Sequence, residues 1–110
     1  MILRGLAWVA LLSCVLQLHA APEERAGFES IAAPFFKSNC VKCHGPEKAK
    51  GQFTLHDIDG DLAGERNLKR WEVILDVLKA GEMPPEEAVN RPAKTEVAAV
   101  TQWIESELRK

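Results

Sequence analysis

Two cysteines and a histidine stand together near the middle of the chain, in the segment Cys40-Val41-Lys42-Cys43-His44. Residues three apart lie on one face of a helical turn, so both thiols can meet the same edge of a flat ligand. His44 follows directly and can place an imidazole nitrogen on a metal at the centre of that ligand. C-x-x-C-H is the attachment spacing of c-type haem. It predicts one haem c linked to Cys40 and Cys43, with His44 on the iron.

Three other uses of the cysteine pair remain to be weighed. A thioredoxin-like dithiol needs a strand before the first cysteine, and the sequence predicts none before Cys40. A zinc site needs four ligands, and the adjacent residues Cys43 and His44 would be awkward partners on one metal. A local disulfide would close almost no chain and would leave the histidine unexplained.

The first twenty residues differ from the rest of the chain. Arg4 precedes an apolar run from Leu6 to Leu12, and charged residues resume shortly after Ala20. This order is typical of a secretory signal peptide, and the run is short for a membrane span, which needs about 20 apolar residues. We therefore predict that residues 1–20 are cleaved and that the mature chain is periplasmic or otherwise exported.

A second processing site overlaps this leader. Leu11-Leu12-Ser13-Cys14 resembles a bacterial lipobox, in which Cys14 becomes the lipidated N-terminus. The residues after Cys14 remain apolar, which favours a plain leader. A membrane is therefore expected as a partner only if Cys14 is lipidated.

Length and charge limit the kind of domain and the kind of partner that this chain can have. The chain has 110 residues and a formal net charge of −2, which suits one small domain. A near-neutral chain lacks the basic excess that phosphate contacts need, so no nucleic-acid partner is predicted. So small a domain in an exported chain usually relies on several disulfides or a cofactor, and only one close cysteine pair follows the leader.

The apolar pattern after a polar arm at residues 21–27 predicts a small all-α domain over residues 28–110, with three to four helices and one long loop. The first helical face leads into Cys40 and is interrupted at Pro34, which predicts two short helical pieces. The second helix is expected to be capped by Asn67, to bury Leu68, Trp71, Ile74, Leu75 and Leu78, and to stop at Gly81. The last is expected to begin near Asn90 or Arg91 and to carry the apolar residues Val97, Val100, Trp103, Ile104 and Leu108.

Met83 is the methionine that follows the leader, and Pro84-Pro85 would present its thioether from a stiff loop. We predict it as the second axial ligand of the iron. His56 is the alternative ligand, and an open position is the third possibility. Methionine–histidine ligation raises the reduction potential, whereas an open site would permit ligand binding or peroxide chemistry.

Taken in order, these motifs resemble the planctomycete-type cytochrome c domain. The resemblance lies in Cys40 to Gly51, in Phe53-Thr54-Leu55, in the segment from Trp71 to Pro85 that ends in Gly-Glu-Met-Pro-Pro, and in Trp103-Ile104-Glu105. It implies a class I cytochrome c fold wrapped around one covalently bound haem, with His44 proximal, Met83 distal and electron transfer outside the cytoplasm. His56 stands where that family more often has an acidic residue.

Together these features predict an exported monohaem cytochrome that carries single electrons between redox partner proteins, after the cytochrome c maturation machinery has attached its haem. No catalytic residue is predicted, and the protein is not expected to be an enzyme. The alternatives are a peroxidase-like or gas-binding haem protein with a labile sixth ligand, and a haem subunit of a larger redox complex.

The haem should also complete the core. Seven apolar side chains are expected to pack on it, namely Phe35, Phe36, Leu55, Leu68, Trp71, Leu75 and Leu78. The indole N–H of Trp71 could reach a haem propionate, although an ordinary core role is favoured. Four lysines near the motif could attract an acidic partner or simply be solvated, namely Lys37, Lys42, Lys48 and Lys50.

Overall fold

The computed structural model describes residues 22–110. The leader predicted at residues 1–20, with Cys14 and the cleavage position after Ala20, lies outside the described residues. The described chain is helical, with α1 at Pro22–Gly27, a π-helical segment at Phe28–Ala32, α2 at Ala33–Asn39, a 3-10 turn at Lys50–Gln52, α3 at Glu65–Lys79 and α4 at Lys94–Leu108. The predicted all-α class is confirmed.

A single helical run leads into the cysteine motif, because α1, the π-helical segment and α2 follow one another directly. Ala33 donates its N–H to the carbonyl oxygen of Phe28, five residues back, which is the π-type hydrogen bond. Pro34 sits in the first turn of α2, next to the point where the π-helical hydrogen bonding ends. The run changes from π-helical to α-helical hydrogen bonding there, without a break in helical conformation. Most of the predicted polar arm is helical, and the domain boundary at residue 28 stays a prediction.

α3 begins two residues before the predicted cap. Gly64 is its N-cap, and Leu68 donates its N–H to the Gly64 carbonyl oxygen over 2.8 Å. The prediction of Asn67 as cap is wrong, because its side-chain amide donates instead to Asp59 Oδ1 at 2.8 Å and to the Asp61 carbonyl at 3.0 Å. Asn67 therefore ties the preceding loop to the helix.

The end of α3 follows the prediction. Gly81 has φ +72°, a left-handed conformation that favours glycine. Its N–H donates to the Leu78 carbonyl at 3.2 Å, while the N–H of Glu82 donates to the Val77 carbonyl at 3.0 Å. These two bonds form a Schellman motif, and they fix where the chain leaves the helix ahead of Met83.

α4 begins at Lys94, so the expected start at Asn90 or Arg91 is wrong. The residue before a proline is disfavoured in helical conformation, and Arg91 precedes Pro92. Ala93 is extended, with φ −63° and ψ 149°, and the helix starts only after it. Residues 90–93 therefore form a connection between the Met83 loop and α4.

The core joins all the longer helices. Its buried side chains are Ala32, Phe35, Phe36, Leu55, Ile58, Leu62, Trp71, Ile74, Leu78, Val100, Trp103 and Ile104. The ring of Trp71 lies 5.5 Å from that of Trp103 and 5.6 Å from that of Phe36, measured between centroids. Leu68 is predicted to be buried, but its side chain is 38% exposed.

An ion pair and one close helix–helix contact add to this packing. Lys79 Nζ on α3 lies 2.6 Å from Glu105 Oε1 on α4. Gly27 allows the first helical run to approach α4 closely, because a Cβ at this position would lie 2.2 Å from Nε1 of Trp103. Within residues 22–110, none of the helices combines the length and apolar character that crossing a bilayer requires.

Candidate functional site

A cavity of about 620 Å³ brings the four predicted site residues together: Cys40, Cys43, His44 and Met83 all line it. The volume falls within the roughly 300–1,000 Å³ range of cofactor and small-molecule pockets. Much of the rest of its wall is apolar and includes Phe36, Phe53, Leu55, Ile74, Val77 and Leu78. The site therefore offers sulfur and imidazole donors beside a surface that an apolar ring can cover.

The cysteine motif forms one tight turn after α2. Cys40 donates its N–H to the Phe36 carbonyl at 2.9 Å, and His44 donates to the Cys40 carbonyl at 2.9 Å. Cys43 donates to the same Cys40 carbonyl at 3.2 Å. Both cysteines are half-buried, and no disulfide joins them in the described structure. The turn thus presents two thiols and the imidazole at one cavity.

The thiols lie in an environment that opposes ionisation. Burial, and to a smaller extent the nearby Cys43, raises the pKa of the Cys40 thiol to about 12. Dithiol oxidoreductases instead lower the pKa of their attacking cysteine. Across residues 22–110, no three His, Cys, Asp or Glu side chains are grouped as they would be around a metal ion. Cys40 is therefore protonated at physiological pH and ill suited to thiolate exchange.

His44 is held in a defined orientation by residues 53–55. Its Nδ1–H donates to the carbonyl oxygen of Phe53 at 3.0 Å, and its own carbonyl accepts the N–H of Leu55 at 2.7 Å. The Phe53 ring packs edge-on against the imidazole, with centroids 5.9 Å apart. Because Nδ1 carries the proton, the Nε2 lone pair remains available for a metal. The tautomer is therefore the one that an iron ligand requires.

Arg70 anchors the segment that orients His44. From α3 its guanidinium donates to the Thr54 carbonyl and forms an ion pair with Asp57 at 2.8 Å. The hydrogen bond from Arg70 lowers the pKa of the Asp57 carboxyl. Arg70 and Thr54 are 16 residues apart, and nothing in the local sequence indicates this contact.

Met83 lines the same cavity, although it lies well after the cysteine motif in the sequence. It follows the α3 C-terminus directly, its N–H donates to the Val77 carbonyl at 3.4 Å, and its side chain remains 40% exposed. His56 is exposed and does not line the cavity. Of the two candidate second ligands, the geometry therefore brings Met83 into the site with His44.

The structure agrees with some of the remaining predictions about the haem surroundings and disagrees with others. Of the seven side chains expected against the haem, Phe36, Leu55 and Leu78 line the cavity, whereas Phe35, Leu68, Trp71 and Leu75 do not. Trp71 is wholly buried between aromatic rings, and its Nε1–H has no hydrogen-bond partner among the described residues. Two of the four lysines, Lys42 and Lys50, lie at the cavity.

Comparison with known families agrees with this geometry. Residues 40–87 match the family model described as Planctomycete cytochrome C. The match covers 48 of the 110 residues and supports a planctomycete-type cytochrome c domain in this part of the chain. The matched residues of this cytochrome domain run from the first cysteine through the Met83 loop, so they include all four predicted site residues. No curated protein and no solved structure matches the chain. The domain is therefore that of a haem-binding cytochrome.

Proposed function

We propose that this protein is an exported, monohaem c-type cytochrome that carries single electrons between redox partner proteins. Cys40 and Cys43 hold the haem covalently, and His44 and Met83 are the axial ligands of its iron. The observation that carries the proposal is the shared cavity, where these four side chains meet and where Phe53 fixes the tautomer of His44.

The chemistry of the site supports a haem in particular. Burial keeps the Cys40 thiol protonated, so it is a poor ligand for a cation and its sulfur is available for carbon–sulfur linkage to a porphyrin edge. The apolar wall formed by Phe36, Ile74 and Leu78 suits the faces of the ring and excludes water. When bound, the haem supplies one-electron exchange between ferric and ferrous iron.

The residues at the cavity favour a carrier over an enzyme. Among the described residues, His56 is the histidine not assigned to iron, and it lies outside the cavity. A thioether at Met83 would occupy the position that a peroxide or gas ligand needs. Methionine and histidine as axial ligands are typical of electron-transferring cytochromes c.

The test uses holoprotein made in an exporting host that has cytochrome c maturation machinery. Intact mass should show one covalent haem, and the ferric protein should show a methionine-to-iron charge-transfer band. Met83→Ala should abolish this band. His56→Ala, which alters an exposed histidine, is the matched control and should retain it. A high-spin wild-type spectrum with ready ligand binding would instead support a sensor or a peroxidase-like enzyme.

Export is a separate part of the proposal. N-terminal sequencing of the mature protein should give Ala21 as first residue if the leader is cleaved after Ala20. A blocked, lipid-bearing N-terminus at Cys14 would show the alternative processing, and Cys14→Ser would then prevent it. Haem-loaded protein that still carries residues 1–20 would contradict both cleavage after Ala20 and lipidation at Cys14.

A further inference from the structure

We infer that Arg91 is a positioning residue for the distal side of the site: its guanidinium clamps the loop at Met83-Pro84-Pro85 and thereby keeps the Met83 thioether at the cavity. The inference rests on the proposed function, because it assumes that Met83 is an iron ligand. It assigns a role to a residue outside the family match at residues 40–87.

The Met83 loop is poor in backbone donors. Pro84 and Pro85 have no N–H, so two consecutive residues after Met83 cannot donate a backbone hydrogen bond. Before them, the N–H groups of Glu82 and Met83 both donate to the Val77 carbonyl, at 3.0 and 3.4 Å. The loop is thus fastened to α3 on its N-terminal side, while its C-terminal side depends on contacts to the proline carbonyls.

Arg91 supplies those contacts. Its Nη1 donates to the Pro84 carbonyl at 3.1 Å and to the Pro85 carbonyl at 2.7 Å. The Pro85 carbonyl also accepts the N–H of Ala88 at 3.0 Å. Hydrogen bonds from a cation are stronger than those from a neutral donor, and a guanidinium donates in a fixed planar geometry. One side chain therefore joins both carbonyls that follow the distal methionine.

The clamp is itself attached to the core. Arg91 lies directly before Pro92 and three residues before α4, whose residues Val100 and Ile104 are fully buried. A movement of the Met83 loop away from the cavity would have to break the Arg91 bonds or displace the start of α4. The Met83 loop is consequently tied to α3 at one end and to α4 at the other.

The strength of this tie sets how easily Met83 is replaced. An external ligand binds the iron only when the thioether has left it, so its apparent affinity reflects the population of the open loop. Two partly exposed, charge-assisted hydrogen bonds should favour the closed loop by about 10-fold. Removing them should raise the apparent affinity for a competing ligand by the same factor.

Imidazole titration of ferric holoprotein tests the clamp, with loss of the charge-transfer band as the signal. Arg91→Ala should bind imidazole about 10-fold more tightly than the wild type. Arg91→Lys keeps the charge and one ammonium donor, and it should restore part of the difference. Arg66→Ala is the charge-matched control, because Arg66 is exposed and has no side-chain hydrogen bond in the described structure; it should match the wild type.

Each outcome is decisive. Equal imidazole affinity of wild type and Arg91→Ala, with the band present in both, overturns the clamp and leaves the proposed ligation standing. Absence of the band from the wild type overturns the proposed ligation, and the clamp falls with it. Should Arg91→Ala fail to accumulate as holoprotein, Arg91→Met, which keeps a long side chain without a donor, decides on the same criterion. Faster hydrogen exchange at the Ala88 amide in the variant would independently support the clamp.

Discussion

Gly27→Ala is the substitution whose effect on the free energy of unfolding follows most directly from the structure. Gly27 has φ −64° and ψ −43°, so its backbone accepts alanine without strain. The added Cβ would instead lie 2.2 Å from Nε1 and 2.9 Å from Cδ1 of Trp103. Carbon atoms in ordinary contact are about 3.5–4.0 Å apart, so the helix or the indole would have to move by more than about 1 Å.

The indole has little freedom to move. Trp103 is 8% exposed and packs against Trp71 and Phe28, with ring centroids 5.5 and 6.3 Å away. Overpacking of this kind costs about 1–3 kcal/mol, while the glycine-to-alanine change in a helix returns about 0.5–1 kcal/mol. The midpoints of these two ranges leave a net loss of about 1.3 kcal/mol, and thus a thermal midpoint lower by about 5–10 °C in a domain of this size.

Thermal unfolding of the holoprotein, followed by far-ultraviolet circular dichroism, measures this loss. A double-mutant cycle with Trp103→Phe separates the steric term, because the smaller ring lacks Nε1, the atom that the new Cβ meets most closely. In that background Gly27→Ala should cost clearly less than in the wild type. Equal cost in both backgrounds, or a Gly27→Ala variant as stable as the wild type, would refute the steric argument.

Two further predictions concern a salt bridge and the cofactor. Because the Arg70 hydrogen bond lowers the pKa of Asp57, its stabilisation should be complete above the ordinary aspartate pKa of about 3.9 and should fade as the pH falls through the lowered value. Asp57→Asn, which keeps the bond from Arg70 to the Thr54 carbonyl, should therefore reduce stability at pH 7 but little near pH 2, measured by urea unfolding. The loss should be small because Asp57 is 54% exposed, and a loss independent of pH would contradict the prediction. We also expect the chain made without attached haem to be largely unfolded, and native-like helix content in its circular dichroism spectrum would show this to be wrong.

Residue chemistry within short segments was accessible from the sequence. C-x-x-C-H at residues 40–44 and the Met83 loop can each be recognised from a few consecutive residues. The left-handed conformation of Gly81 follows from the preference for glycine just after a helix C-terminus. The start of α3 was misplaced because Asn67 has two possible uses, and the loop at Asp59 decides between them. The start of α4 was misplaced although the necessary signal, Pro92 after Arg91, was present.

The anchoring residues were not accessible in this way. The contacts of Arg70 and Arg91 that anchor the site are made to backbone carbonyls, which every residue possesses, so the sequence gives no signal of them. Only the folded chain shows that Thr54 lies beside Arg70 and that Pro84 lies beside Arg91. Sequence therefore reveals the candidate ligands of this site, whereas the supports that orient them depend on tertiary structure.

The aromatic contacts described above give the protein an intrinsic optical probe. Phe36 belongs to the cavity wall and packs on Trp71, which packs on Trp103. A haem in that cavity would lie close enough to both indoles to absorb their excitation energy, so the native protein should be nearly non-fluorescent at tryptophan wavelengths. Emission should return only when the rings separate from the cofactor. Tryptophan fluorescence can thus report both haem attachment and the packing of α3 against α4 in one unlabelled sample.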